Sequence, residues 1–357
     1  MQYEWEKNIA YMSPDCTIIH FHNNFNQRIE PNTLPEKLTT LSFGKNFNQG
    51  IDPNTLPKNL TTLTFGWYFN KKIEPNTLPR NLTTLTFGYS FNKKIEPNTL
   101  PKNLTTLTFG YKFNQQVEPN ILSENLTTLI FGSRFNQEIE PNTLPENLTS
   151  IIFGWEFKKK IEPSTLPENL TTLTFGHYFN QKIEPNILLR NLTTLTFGYH
   201  FNQKIEPNTL SRNLTTLIFG ECFNQKIEPN TLPRNLTTLT FGYHFNQIIE
   251  PEMLPSNLKN INFNWVNFYK HDLNEHYIEM INNIPNYYHV KILLNSNILG
   301  IDESKWPLHV SHYKEKKWSS EIYEIQDRYD HPIYGSITVL INKETYQPYS
   351  FAKSALK

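Results

Sequence analysis

The chain has 357 residues, and 33 Lys and Arg balance 33 Asp and Glu, so its formal net charge is zero. That balance argues against a nucleic-acid groove, which needs a positive excess on at least one face. Two cysteines, Cys16 and Cys222, cannot form a disulfide framework. No run approaches the roughly 20 apolar residues of a membrane span.

Residues 1–24 come first. Met1-Gln2-Tyr3-Glu4-Trp5-Glu6-Lys7 carries acids early and has no apolar run behind it. The expectation is a cytoplasmic protein without a secretory leader. Cys16-Thr17-Ile18-Ile19-His20-Phe21 lies 22 residues ahead of Leu38-Thr39-Thr40-Leu41-Ser42-Phe43 and matches its pattern. It reads as a degenerate coil inside an N-terminal cap, with Cys16 replacing a core Leu. Such a cap covers a strand edge that would otherwise pair with other chains.

Residues 25–266 repeat one 22-residue unit eleven times without insertion or loss, starting at Phe25, Phe47, Phe69 and so on to Phe245. A period this strict predicts a stack in which each coil touches only its neighbours. Six apolar columns recur: Phe201, Ile205, Leu210, Leu214, Leu217 and Phe219 in the ninth copy. Leu217 and Phe219 alternate with Thr216 and Ile218, which is a strand signal. A Gly follows the second Phe in ten copies, with Asn264 in its place in the last. It suits a strand end needing unusual φ or a close backbone approach. Pro at the seventh position of every copy, and often again four residues later, leaves little room for helix. Each coil is therefore expected to hold one short parallel strand and an extended return path. Strands of successive coils should lie about 4.8 Å apart.

The period fails after Val266. In residues 267–357, Leu273, Tyr277, Met280, Ile281 and Ile284 show helical spacing. His289 to Leu294 and Ile337 to Asn342 read as strands, the second followed by a turn near Lys343-Glu344-Thr345. The region is expected to be a small α+β domain or an enlarged C-terminal cap.

The frame Leu-x-x-Leu-x-Phe-Gly-x-x-Phe-Asn-x-x-Ile, as from Leu60 to Ile73, resembles the FNIP repeat. That family is known mainly from amoebae and the giant viruses that infect them, and is grouped with leucine-rich repeats. The resemblance implies a β-rich, right-handed, leucine-rich-repeat-like solenoid with its parallel sheet on the concave side. It implies no catalytic activity and no cofactor. The chain departs from the family frame where Lys182 precedes Ile183 in place of Pro, and where Lys158 replaces Asn.

The two positions after the Gly vary most. They hold Trp67, Tyr68, Tyr89, Tyr111, Trp155, His177, Tyr178, Tyr199 and Tyr243, and should line one rim of the stack. Aromatic residues are favoured at binding hot spots, so these are the candidate partner-binding residues. The same pattern would arise if the rings simply stacked coil on coil. A flat Thr-x-Thr array can resemble an ice-binding surface, but Thr also suits any exposed strand. Asn202, Asn208 and Asn213 mark columns expected to form buried ladders. His309, His312 and His331 lack a zinc spacing and have no accompanying Cys. The function expected is a non-enzymatic scaffold for protein–protein interaction, monomeric, binding neither nucleic acid nor membrane. The alternative places a separate binding or catalytic activity in residues 267–357, with the solenoid as a handle.

Overall fold

Alternation in Thr62-Leu63-Thr64 turns one apolar side chain inward and two β-branched ones outward, and most coils contribute one such three-residue strand. The computed structural model describes the backbone of residues 2–5, 13–188, 190–265, 289–295 and 336–342, and the side chains of 13–188 and 190–263. The chain forms two compact units, Met1–Leu192 and Thr193–Lys357.

The first unit carries β1 (Gln2–Trp5), β2 (Ile18–Phe21), β3 (Thr40–Ser42), β4 (Thr62–Thr64), β5 (Thr84–Thr86), β6 (Thr106–Thr108), β7 (Thr128–Ile130), β8 (Ser150–Ile152) and β9 (Thr172–Thr174). All pair in parallel, each with the next. The pairing Ile18↔Thr40 and Ile19↔Leu41 puts the degenerate coil in register with the array. Cys16 is buried, as a Leu would be at its place. Strand β1 lies outside the repeat and was not legible in its pattern.

The second unit carries β10 (Thr194–Thr196), β11 (Thr216–Ile218), β12 (Thr238–Phe241), β13 (Asn260–Trp265), β14 (His289–Asn295) and β15 (Ser336–Asn342). Strands β10 to β14 pair in parallel and β15 closes antiparallel on β14. Both strands expected after residue 266 are thus present. The expected helix over 271–284, the turn near 343–345 and the histidines at 309, 312 and 331 lie outside the described residues.

Each unit is a β-solenoid with the core inside its coils. In the ninth copy the six apolar columns are no more than 6 % exposed. The two Phe columns interleave: Phe43 stacks on Phe47 at 3.8 Å and on Phe65 at 5.7 Å, and Phe47 stacks on Phe69 at 6.1 Å. Fully burying one such ring stabilises by roughly 1.5–3 kcal/mol, so the repeated columns supply most of the driving force.

The return path begins with a tight turn. In Asp52-Pro53-Asn54-Thr55 the Thr55 N–H donates to the Asp52 carbonyl, and Asn54 holds φ 66°. Pro second and a left-handed residue third is the pattern of a type II turn, where Asn is tolerated. Asn208, expected in a buried ladder, therefore serves another purpose: its φ is 65° and it is exposed. In the last copy Glu252 replaces the Asn, and Pro251–Met253 becomes a 3-10 turn instead.

Two polar ladders bind coil to coil. The Thr39 carbonyl accepts the Thr61 N–H at 2.9 Å, the Thr62 N–H at 3.0 Å and the Thr61 Oγ1 at 3.1 Å. The same Thr61 arrangement recurs at Thr83, Thr105 and Thr127. This Thr column is thus spent on backbone. The Asn213 column also forms a ladder, but an exposed one: Asn59 and Asn81 donate Nδ2 to the carbonyls of Glu36 and Lys58, both at 2.9 Å.

The Gly column marks where backbone meets backbone. A Cβ on Gly110 would sit 1.7 Å from the Gly88 carbonyl oxygen. Close approach is the reason for these glycines, since none of those described has a positive φ. Gly110→Ala must force the coils apart and should cost more than about 3 kcal/mol. Gly50, with nothing within 4 Å of a built Cβ, is the control: Gly50→Ala should change stability by less than about 1 kcal/mol. Urea denaturation followed by circular dichroism compares the two, and equal losses would contradict the packing account.

One column is satisfied only at Thr33 and Thr165, whose hydroxyls donate to the carbonyls of Glu30 and Ile139. The Oγ1 atoms of Thr55, Thr77, Thr99, Thr143, Thr209 and Thr231 are buried without a hydrogen-bond partner in the protein. Ile121 and Ile187 occupy the same place in two copies and are buried there. Thr77→Val with Thr99→Val should therefore raise the denaturation midpoint, by about 1 kcal/mol per site. A lowered midpoint would show that these hydroxyls hold something in place.

Candidate partner-binding rim

Beyond each Gly the backbone ladder continues for one more coil-to-coil bond. Tyr68 N–H donates to the Lys45 carbonyl at 3.0 Å, Ser90 to Trp67 at 2.8 Å and Lys112 to Tyr89 at 2.9 Å. The first rim residue of each coil is thereby held at ladder spacing above its counterpart in the next coil. Flat side chains at that spacing stack. Trp67 and Tyr89 lie 4.2 Å apart at 3°, and Tyr89 and Tyr111 lie 4.5 Å apart at 8°.

Cations close the stack. Lys45 Nζ lies 5.9 Å from the Trp67 ring centre, and the Arg134 guanidinium 5.8 Å from that of Tyr111. Lys112 Nζ lies 5.6 Å from the Tyr89 ring. Ring faces are the negative side of an aromatic quadrupole, so cations belong there. Tyr68 stands beside the column, 47 % exposed, with Lys45 also 5.9 Å from its ring.

Ser133 interrupts the rim. Past it, Trp155 meets His177 at 3.9 Å with a 43° tilt, and His177 meets Tyr178 edge-on at 5.0 Å. In the second unit Tyr199 contacts His200 edge-on at 4.9 Å, and Tyr243 contacts His244 the same way at 4.6 Å. The sequence candidates thus include one stack, Trp67 with Tyr89 and Tyr111, one cluster around Trp155, and edge-on contacts of Tyr199 with His200 and of Tyr243 with His244. Both readings of the rim have a place here: the rings stack coil on coil, and several of them are exposed.

Glu221 breaks the aromatic pattern in the second unit. Its Oε2 accepts the Tyr243 N–H at 2.7 Å. Burial pushes its carboxyl above the usual carboxylate range, and the bond from Tyr243 pulls the other way. Burial also pushes up the Cys222 thiol, with Glu221 adding to the effect. Cys222 Sγ lies 3.9 Å from His200 Nδ1. Among the described residues, no group of three His, Cys, Asp or Glu is placed to hold a metal ion. No helix among them is long and apolar enough to cross a membrane.

A polar groove of about 760 Å³ runs beside the first stack, lined by Asn24, Asn26, Asn46, Asn48, Tyr68, Asn70, Ser90, Asn92 and Lys112. Its floor is the Asn202-type column. Asn48 N–H donates to Asn26 Oδ1 at 2.8 Å, Asn70 to Asn48 at 2.9 Å and Asn92 to Asn70 at 3.0 Å. The ladder was expected to be buried, but Asn48, Asn70 and Asn92 are half-buried and Asn26 is exposed. That they also border a groove was not legible, because the sequence does not tell which way the coil turns them.

The CroV588 crystal structure, described as a novel circular LRR protein, superposes with a TM-score of 0.72 at 47 % identity, covering 80 % of this chain and 41 % of that one. This chain therefore spans well under half of CroV588. The TLR13–ssRNA13 complex aligns with a TM-score of 0.40 at 15 % identity, over 70 % of this chain and 46 % of that one, which is too low to carry any argument. No curated protein matches the chain in sequence. The FNIP Repeat family profile matches residues 12–46, 47–90, 69–112, 91–134, 113–155, 135–178, 179–222 and 223–265. With most of its length accounted for by these matches, the chain belongs to the FNIP repeat family and has a leucine-rich-repeat-like solenoid fold.

Proposed function

We propose that this protein is a non-enzymatic scaffold that binds a protein partner through the aromatic rim of its first unit. One observation carries the reading. On a frame whose core columns are nearly constant, the two most variable columns expose large aromatic rings: Trp67 and Tyr68 at 47 %, Tyr178 at 46 % and Trp155 at 40 %. Rings of this size are costly to leave in water and dominate interface energetics once covered. The Phe, Leu and Ile columns are already committed to the core, so the rim carries most of the large exposed apolar side chains among the described residues.

The rings also differ in how much the fold needs them. Tyr89 is stacked on both sides, while Tyr68 has no ring stacked on it among the described contacts. A test should therefore spare the stack. In Tyr68→Ala/Trp155→Ala/Tyr178→Ala the circular dichroism spectrum should be unchanged and the melting temperature nearly so. Quantitative affinity purification from the native cell should then show co-purifying protein reduced at least about tenfold, as expected for loss of hot-spot rings. Full retention of every partner on a folded variant overturns the proposal.

A further inference from the structure

We infer that the Asn-floored groove beside the Trp67–Tyr89–Tyr111 stack receives an extended, acidic segment of the partner protein. This rests on the rim reading and adds the partner's chemistry.

The groove floor presents a row of amide donors. In Asn48 and Asn70 the Oδ1 is taken by the N–H of the next coil's Asn. In Asn92 it accepts both the Asn114 N–H at 2.9 Å and the Gln115 Nε2 at 3.0 Å. An amide has one acceptor oxygen and one donor NH₂ group. With each of these oxygens already turned to the next coil, the row of Nδ2 groups is the wholly unused part of the amides. The backbone donors fix this assignment, because an N–H must face the oxygen.

The aromatic stack points to the same ligand. Trp67, Tyr89 and Tyr111 cover one another's faces, and Lys45 and Arg134 cap the two ends. Only ring edges and Tyr hydroxyls are left for a partner. The edge is the positive part of the ring. A nucleobase would need a free face on which to stack, and the column offers none, so single-stranded nucleic acid fits poorly.

The cations are uncompensated. Lys45 and Lys112 lie over rings, and Lys71 and Lys93 follow Asn70 and Asn92 in sequence and are exposed. None of the four has a carboxylate partner among the described residues. Two acids of these coils are engaged elsewhere, Glu74 by Lys72 at 3.2 Å and Glu118 by Lys94 at 2.8 Å. Amide donors and the Lys112 ammonium in the groove lining, with Lys45 against Tyr68 at its edge, all select carboxylates. An extended acidic peptide can supply them at intervals along several coils, whereas a single small anion could use only a fraction of the row.

Fluorescence anisotropy on the full chain tests this. The probes are a fluorescein-labelled peptide of alternating Glu and Ser, its Gln counterpart, and a labelled oligo-thymidine. The Glu peptide should bind at least about tenfold tighter than the Gln peptide, with the gap narrowing as salt is raised. In Lys45→Gln/Lys71→Gln/Lys93→Gln/Lys112→Gln that preference should disappear. It should survive in Lys58→Gln/Arg80→Gln/Lys102→Gln/Arg234→Gln, which removes as much charge from other exposed positions. Equal binding of the Glu and Gln peptides, equal loss in both variants, or tighter binding of oligo-thymidine each overturns the inference. If the Glu peptide fails while Tyr68→Ala/Trp155→Ala/Tyr178→Ala loses its partner, the acidic assignment falls and the rim reading stands. If that variant keeps its partner, the rim reading itself has failed.

Discussion

The contact on which the rest depends is backbone against backbone at the glycine column. A Cβ on Gly66 or Gly88 would lie 1.9 or 1.8 Å from the preceding glycine's carbonyl oxygen. No side chain fits there, so neighbouring coils close to ladder distance at that edge. The consequence appears one residue later. Because Ser90 N–H reaches the Trp67 carbonyl at 2.8 Å, the side chains that follow glycine are carried into ring-stacking range, and Trp67 and Tyr89 meet at 4.2 Å. The rim's geometry is thus a property of the glycine beside it.

Repetition magnifies every polar decision. One Thr facing the core without a partner would be a minor defect, but here six such hydroxyls are orphaned. The apolar columns must outweigh that cost in coil after coil, and the interleaved Phe stacks do so with several kilocalories of burial per coil, at roughly 1.5–3 kcal/mol per ring. Satisfied polar groups are magnified too. Each Asn of the groove floor takes a backbone donor from its neighbour, and the chain of bonds runs from Asn26 to Asn136. Lys158 ends it: its N–H bonds Asn136 at 3.1 Å, but its side chain has no amide oxygen to offer the next coil.

What the sequence disclosed was whatever depends on period alone. The six buried columns, the parallel register and the coil hidden at Cys16–Phe21 all follow from a spacing of 22. What it concealed depends on direction. The columns of Asn202, Asn208 and Asn213 look alike in the repeat, yet one takes a backbone N–H from the next coil, one holds a left-handed turn and one ties a carbonyl of the preceding coil, as Asn235 does. Amide chemistry suits all three roles, so only the local backbone separates them. The rim shows the same limit. Variability at Trp67, Tyr89 and Tyr111 was visible, but that their faces are already covered follows from the coil spacing. Strand β1 was hidden for a third reason: Gln2–Trp5 lies outside the period altogether.

The covered faces change what aromatic enrichment means here. An exposed ring usually advertises a flat apolar face for a partner. In this column each inner face is taken by the next ring and the end faces by Lys45 and Arg134. A partner therefore meets edges, hydroxyls and the cations set over the rings, which is a polar and electropositive surface built from hydrophobic residues. In the second unit the corresponding place is held by Glu221, whose carboxylate turns to the Tyr243 N–H and divides Tyr199 from Tyr243. The first unit combines a continuous three-ring stack, an amide-lined groove and lysines without carboxylate partners among the described residues.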